Sequence, residues 1–191
     1  MKFKTLKDFT SLTDLLRIYG DADEIIFKSY CELDESEIAE ACRRGRRLAN
    51  HLRLHNGSKT AEQIAGDYGC KIVRESWQIA EGKVVFFAEC NFHPSRSGAV
   101  IRLNTETIES LVDLMVSWAT EPMHQWFSEP KISEVAIAHE LYHLIEQHSP
   151  STAFELAAHA FARTFAELPF SPLLYNVLLV GKKAGKGTLK L

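Results

Sequence analysis

The chain has 191 residues, of which 46% are hydrophobic and 25% are charged, and its formal net charge is -3 at pH 7. These values predict a globular protein, and the slightly negative charge argues against binding nucleic acid through overall charge. No stretch approaches the ~18 consecutive apolar residues of a membrane span, and the charged N-terminus does not resemble a signal peptide. The four cysteines form no C-x-x-C pair. We therefore expect a cytoplasmic protein with reduced thiols and no direct contact with nucleic acid or membrane.

The first part of the chain has the pattern of helices. Apolar residues recur with helical spacing in residues 10–18 and 34–55. A shorter helix is expected within residues 57–69, opened by Ser58 or Thr60. The second helix carries a run of arginines, which we interpret as a solvated helix face. These arginines are Arg43, Arg44, Arg46, Arg47 and Arg53.

The rest of the chain predicts a small sheet followed by more helices. Three short β-rich runs are bounded by glycine, proline and serine, and they predict a sheet that is antiparallel in part. These runs are residues 70–73, 83–90 and 98–104. Four helices separated by proline-containing breaks complete the chain. They are residues 105–118, about 131–148, 152–168 and 172–180.

This order of elements predicts an α+β fold. We expect a helical arm in residues 1–57 and a second domain in residues 58–191, with one continuous domain as the alternative. The sequence does not indicate an oligomeric state.

Two histidines and a glutamate interrupt an apolar run in the segment AIAHELYHLI, which belongs to the helix predicted for residues 131–148. His139 and His143 are four residues apart, so both imidazoles lie on one face of the helix and can reach the same ion. Zinc binds neutral imidazole, and a catalytic zinc site keeps one position for water. Glu140 points slightly away from that face, where a carboxylate can take a proton from such a water. The spacing therefore predicts a zinc site with Glu140 as general base.

The third ligand is less clearly indicated by the residues themselves. A metzincin would have Gly at position 146 and His at position 149, but this chain has Glu146 and Ser149. A glutamate on the following helix is another common solution, and an antiparallel turn near residues 149–151 would place Glu155 opposite His143. Glu155 also fits a capping box that begins at Thr152. His159, one turn further on, is a rival ligand.

The two segments EVAIAHELYHLIEQH and FELAAHAFARTFAELP resemble the ImmA/IrrE family of zinc metallopeptidases, which pairs HExxH with a downstream E-x-x-A-N-x-F-A motif. The resemblance covers roughly residues 60–170. It implies a zincin-like gluzincin fold in which an active-site helix is followed by an antiparallel ligand helix. By position it implies His139, His143 and Glu155 as zinc ligands and Glu140 as general base. His159 stands where the family has a supporting asparagine.

The chain also departs from the family pattern. Tyr142 replaces the usual glycine of HELGH and could crowd the cleft, and an extra segment over residues 105–130 separates the last strand from the active-site helix. Family members cleave intracellular proteins, often transcriptional repressors. The resemblance thus implies a zinc-dependent endopeptidase acting on an intracellular protein.

Tyr142, His159, His124 and Tyr175 are all candidates for stabilising an oxyanion. We expect the strand containing Val100–Leu103 to be an edge that binds an extended substrate. Two other functions are compatible with the residues: a proteolytically inactive zinc-binding module that acts through protein contacts, and a helical interaction protein without metal.

Overall fold

The computed structural model describes residues 33–77, 87–91, 98–116, 123–147 and 151–183. The helix predicted for residues 10–18 lies outside these ranges. The same is true of most of the arm predicted for residues 1–57, so its boundary stays a prediction.

The described residues form six α-helices, one 3-10 helix and three strands, which confirms the mixed α+β class. The α-helices are α1 (Glu35–Asn56), α2 (Ala61–Asp67), α3 (Thr105–Val116), α4 (Glu129–Glu146), α5 (Thr152–Phe165) and α6 (Leu173–Lys183). The 3-10 helix is Met123–Trp126. None of the described helices is long and apolar enough to cross a membrane.

The first two helices begin at capping boxes that are visible in the sequence. The Asp34 side chain accepts hydrogen bonds from the backbone at the start of α1, and the Glu37 carboxylate accepts one from the Asp34 backbone N–H. Thr60 and Gln63 do the same for α2. Each box satisfies N–H groups that have no partner within the helix. Of the two residues predicted to open α2, Thr60 is therefore the cap.

The three strands β1 (Lys71–Glu75), β2 (Ala88–Asn91) and β3 (Val100–Asn104) form one mixed sheet in the order β1-β3-β2. β3 pairs with β1 in parallel and with β2 in antiparallel orientation. The expectation that β3 is an edge strand is therefore wrong, because both of its sides are used in backbone pairing. Among the described strands, β1 and β2 are the edges.

Helix α1 packs closely along α5 because a glycine removes the side chain at the contact. A Cβ atom at Gly45 would lie 2.1 Å from the Ala157 carbonyl oxygen and 2.8 Å from the Phe161 nitrogen. The buried side of α1 joins the same hydrophobic core as α4 and α5. Residues 35–56 therefore form part of the packing that holds α5 in place.

The arginines of α1 divide into two groups. Arg43 pairs with Glu40 on the same exposed face, as expected for a solvated run. Arg44 instead pairs with Glu146 at the end of α4. Arg53 pairs with Glu167, just beyond α5. These two arginines thus link α1 to the helices that carry the histidines.

Candidate metal centre

Helix α4 places His139 and His143 one turn apart on the same face. The helix begins after Ser128 with Pro130 in its first turn, and it ends at Glu146, before Gln147, whose φ of 43° is left-handed. Proline suits the first turn, where its missing N–H removes no helical hydrogen bond. The two Nε2 atoms are 3.1 Å apart. The two imidazoles therefore lie close together on one face of the helix, as predicted.

Glu155 lies in the first turn of α5 and faces both histidines. Its Oε2 atom is 3.4 Å from Nε2 of His139, and its Oε1 atom is 3.5 Å from Nε2 of His143. Helix α5 is capped by Ser151, whose hydroxyl accepts a hydrogen bond from the Phe154 N–H. The capping box that would begin at Thr152 is therefore wrong, and the Glu155 carboxylate is left to face the histidines.

The spacing of these three side chains fits a tetrahedral zinc site. Ligand atoms bound at ~2.0–2.1 Å from a tetrahedral zinc lie about 3.3 Å from one another. The separations of 3.1, 3.4 and 3.5 Å in the structure are close to this value. Among the described residues, His139, His143 and Glu155 alone form a group of histidine, cysteine or acidic side chains able to share an ion.

The immediate surroundings favour an ionised Glu155 carboxylate. Burial raises the pKa of Glu155, but hydrogen bonds and charge interactions with His139 and His143 outweigh it and hold the pKa below its usual range. Metal binding requires a deprotonated carboxylate, and it displaces any proton from the imidazole nitrogens that bind the ion.

Glu140 follows the first histidine and lines the same cavity as His139 and Glu155. Burial raises the pKa of the Glu140 carboxyl, and the neighbouring His139 and His143 lower it in part. A raised pKa brings a carboxylate closer to the range in which it both accepts and returns a proton. Glu140 therefore has the surroundings that a general base needs.

His159 lies next to the three candidate ligands but is not one of them. Its ring centroid is 4.7 Å from that of His139. Burial and the neighbouring His139 lower the pKa of His159 well below its usual value, which keeps the ring neutral. His159 lies beside His139, whereas Phe154 at the start of α5 lies beside His143. This arrangement suits His159 as a support for His139.

A cavity of about 150 Å³ opens beside these groups. It lies between the middle of α4, the first half of α5, the edge strand β2 and the start of α6. Of the predicted oxyanion candidates, His159 and Tyr175 line it. The Tyr175 hydroxyl already donates a hydrogen bond of 2.6 Å to the Trp126 carbonyl, whereas His124 is exposed and does not line this cavity.

Tyr142 does not crowd the cavity, contrary to the sequence-based expectation. Its side chain is fully buried and packs against Phe154 and Phe161 in the core between α4 and α5. Burial raises the pKa of Tyr142 to about 12. Position 142 is three residues after His139 and lies outside the cavity lining, so a large side chain there leaves the centre open. None of the described residues of the 105–130 segment lines this cavity either.

Sequence reasoning missed the residues that form the rest of the cavity. Ala88 of β2 and Leu173 and Asn176 of α6 line it, although they are distant in sequence from the histidines. One signal was available for Asn176, since it is a polar residue within the apolar run LLYNVLLV. That is the same kind of interruption that drew attention to His139 and His143.

Comparison with protein-family models, with curated proteins and with solved structures gives no significant match to this chain.

Proposed function

We propose that this protein is a zinc-dependent metalloendopeptidase of the ImmA/IrrE type that hydrolyses peptide bonds in an intracellular protein. The observation that carries the proposal is the convergence of His139, His143 and Glu155 at zinc-ligand spacing, with Glu140 beside them in an open cavity. Intracellular regulators are the substrate class that the family resemblance suggests.

Three side chains would hold the metal, and two others would support the reaction. His139, His143 and Glu155 would be the ligands, with His159 packed against the first of them. A zinc ion bound there supplies a Lewis acid that lowers the pKa of a water ligand and polarises a carbonyl group. Glu140 accepts the proton of the attacking water and passes it to the amine nitrogen that leaves.

Strand β2 is the best-placed element for holding an extended substrate. It is an edge strand among those described, and its Ala88 lines the same cavity as His139. An edge strand presents unpaired backbone groups to which a peptide can add as a further strand. We therefore propose β2 as the strand that binds an extended substrate, in place of β3, which the sequence suggested.

The test is hydrolysis of an unfolded protein such as casein, combined with a measurement of bound zinc. Glu140→Gln should keep zinc and lose about 10²- to 10⁴-fold in rate, because it removes the base without removing a ligand. Glu129→Gln is the matched control, since Glu129 is an exposed carboxylate on the same helix and outside the cavity. Full activity in Glu140→Gln would contradict the proposed role.

The same experiment separates the proteolytic function from the inactive zinc-binding module. A protein that binds zinc but cleaves neither casein nor candidate repressors would favour the module. A protein that neither binds zinc nor cleaves would favour the interaction protein without metal.

A further inference from the structure

Helix α3 does not line the cavity beside the histidines, but it lines a second cavity of about 280 Å³. This cavity, which we call the α3–α4 cleft, lies between one face of α3, the first turns of α4 and the sheet. Its apolar lining consists of Leu103, Ile108 and Val112. No residue lines both cavities, so the cleft is separate from the candidate metal centre.

Two carboxylates line the cleft without a cation beside them. Glu109 and Asp113 are four residues apart on α3, and both are exposed. Like charges at this spacing lie on one face of a helix and repel each other. Neither carboxylate forms an ion pair within the described part of the chain. A cation bound between them would remove the repulsion.

The cleft contains one guanidinium group of its own, but that group is already paired. Arg74 of β1 donates hydrogen bonds of 3.1 and 2.5 Å to the two carboxylate oxygens of Glu62. The hydrogen bond to Glu62 raises the pKa of Arg74. Because Arg74 is held by Glu62, it does not pair with Glu109 or Asp113, and the lining keeps a net negative charge.

A buried hydroxyl group in the cleft also lacks a partner. Ser133 of α4 is only 8% exposed and lines the cleft. Its hydroxyl makes no hydrogen bond to any described residue, although a serine inside a helix can bond back to the carbonyl four residues earlier. A buried polar group without a partner is costly. A hydrogen-bond donor that enters the cleft would remove this cost.

These features favour a cation carried on a hydrocarbon stem. An anion would be repelled by the carboxylates, and a hydrated metal ion would gain nothing from the apolar lining. Among the described residues, only the histidine centre brings three metal-binding groups within 4.8 Å of one another. Arginine and lysine bury their methylene stems on apolar surface and keep the charged group at its polar edge. Of the two, arginine has five donors in a planar fork, which can reach two carboxylates and a hydroxyl at once.

We propose that the α3–α4 cleft binds an arginine side chain of a partner polypeptide. The stem packs against Ile108 and Val112, and the guanidinium donates hydrogen bonds to Glu109, Asp113 and Ser133. Agmatine, a free amine with the same guanidinium and stem, has the same chemistry and must be tested beside a peptide. The inference does not rest on the proposed function, because the cleft shares no lining residue with the metal centre.

The test is binding of blocked amino acids to the isotope-labelled full-length protein, followed by chemical shifts in nuclear magnetic resonance. The probes are the N-acetyl amides of arginine and of citrulline, which has the same length and shape but no charge. We expect the arginine probe to bind at least about tenfold more tightly at low salt, because hydrogen bonds with charged partners are roughly twice as strong as neutral ones. Added salt should reduce this difference. Equal binding of the two probes would overturn the inference.

Two substitutions separate the charge from the hydroxyl. Glu109→Gln should weaken the arginine probe roughly fivefold and leave the citrulline probe unchanged, since only the charged ligand needs the carboxylate. Its matched control is Glu106→Gln, an exposed carboxylate on the same helix that does not line the cleft, and it should change neither. Loss of both probes alike in Glu109→Gln would contradict charge recognition.

Ser133→Ala should weaken both probes by the same factor, roughly 2- to 10-fold, because each of them donates a hydrogen bond to the hydroxyl. Unchanged binding of both probes in this variant would contradict the assignment of Ser133.

The source of the cation is decided with three further ligands. The peptide N-acetyl-Gly-Arg-Gly amide should bind at least as tightly as the single blocked arginine, because Glu109 and Asp113 are exposed at the edge of the cleft. Binding of agmatine without binding of the peptide would make the cleft a small-molecule site and overturn the proposal. Calcium chloride that shifts the signals of Glu109 and Asp113, with no effect of the arginine probe, would make it a metal site and overturn the proposal as well.

Discussion

Glu155 directs both carboxylate oxygens towards the candidate centre, one facing His139 and the other facing His143. The sequence allowed a second role for this residue, because Ser151 and Thr152 are adjacent and either can cap a helix. A shift of one residue in the start of α5 decides between the two roles. Ser151 is the cap, so the Glu155 side chain is not engaged in capping.

We predict that Glu155→Gln weakens zinc binding by more than the roughly 10- to 100-fold typical of residues that only support a ligand. The fold without metal should be little affected. Zinc affinity is measured by competition with a chelator, and stability by urea unfolding in the presence of chelator.

Ser151→Ala is the control for this prediction. It removes the helix cap and should cost about 1 kcal/mol in the free energy of unfolding while leaving zinc affinity unchanged. His159→Ala should lower affinity only modestly. If His159→Ala removes the zinc while Glu155→Gln retains it, the third ligand is His159 and our assignment is wrong.

At the scale of elements, the position of α5 depends on its contact with α1. Gly45 allows the two backbones to approach so closely that any side chain at this position would meet the carbonyl of Ala157. Backbone atoms cannot rotate away as a flexible side chain can. The centre formed by α4 and α5 therefore depends on a helix that carries none of its ligands.

We predict that Gly45→Ala destabilises the protein by at least about 1–3 kcal/mol, the usual cost of overpacking. It should also weaken zinc binding, because displacement of α5 moves Glu155. Gly66→Ala is the matched control, since a Cβ atom there meets nothing within 4 Å. That variant should be neutral or stabilising by up to about 1 kcal/mol, as expected for alanine in a helix. Urea unfolding measures the free energy of unfolding of both variants. Equal values for Gly45→Ala and Gly66→Ala would contradict the packing argument.

The helices could be predicted from the sequence better than the sheet could. Helical periodicity and proline-containing breaks placed α4 and α5 within a few residues of their observed bounds. The β-rich run at residues 98–104 indicated a strand but carried no information about its neighbours. Pairing is decided by segments that are distant in sequence, so the central position of β3 emerged only from the structure.

At the scale of the whole molecule, a bound metal would join two helices, α4 and α5, through their side chains. His139 and His143 belong to α4, and Glu155 belongs to α5. A ligand that binds only the folded protein stabilises it in proportion to the logarithm of its concentration. Zinc binding and folding should therefore be linked.

We predict that zinc at 100 times its dissociation constant stabilises the fold by about 2.7 kcal/mol. For a chain of this length the melting temperature should rise by roughly 5–10 °C. Differential scanning calorimetry measures this shift. His143→Ala should show no zinc-dependent rise, and an equal rise in that variant would place the ion elsewhere.

The most direct test of the central claim is the zinc content of the untagged protein, measured by mass spectrometry of the purified chain. We predict about one zinc per chain, lost in His139→Ala and in His143→Ala and kept in Glu140→Gln. A protein that is purified without metal and takes up none when zinc is added would contradict the account.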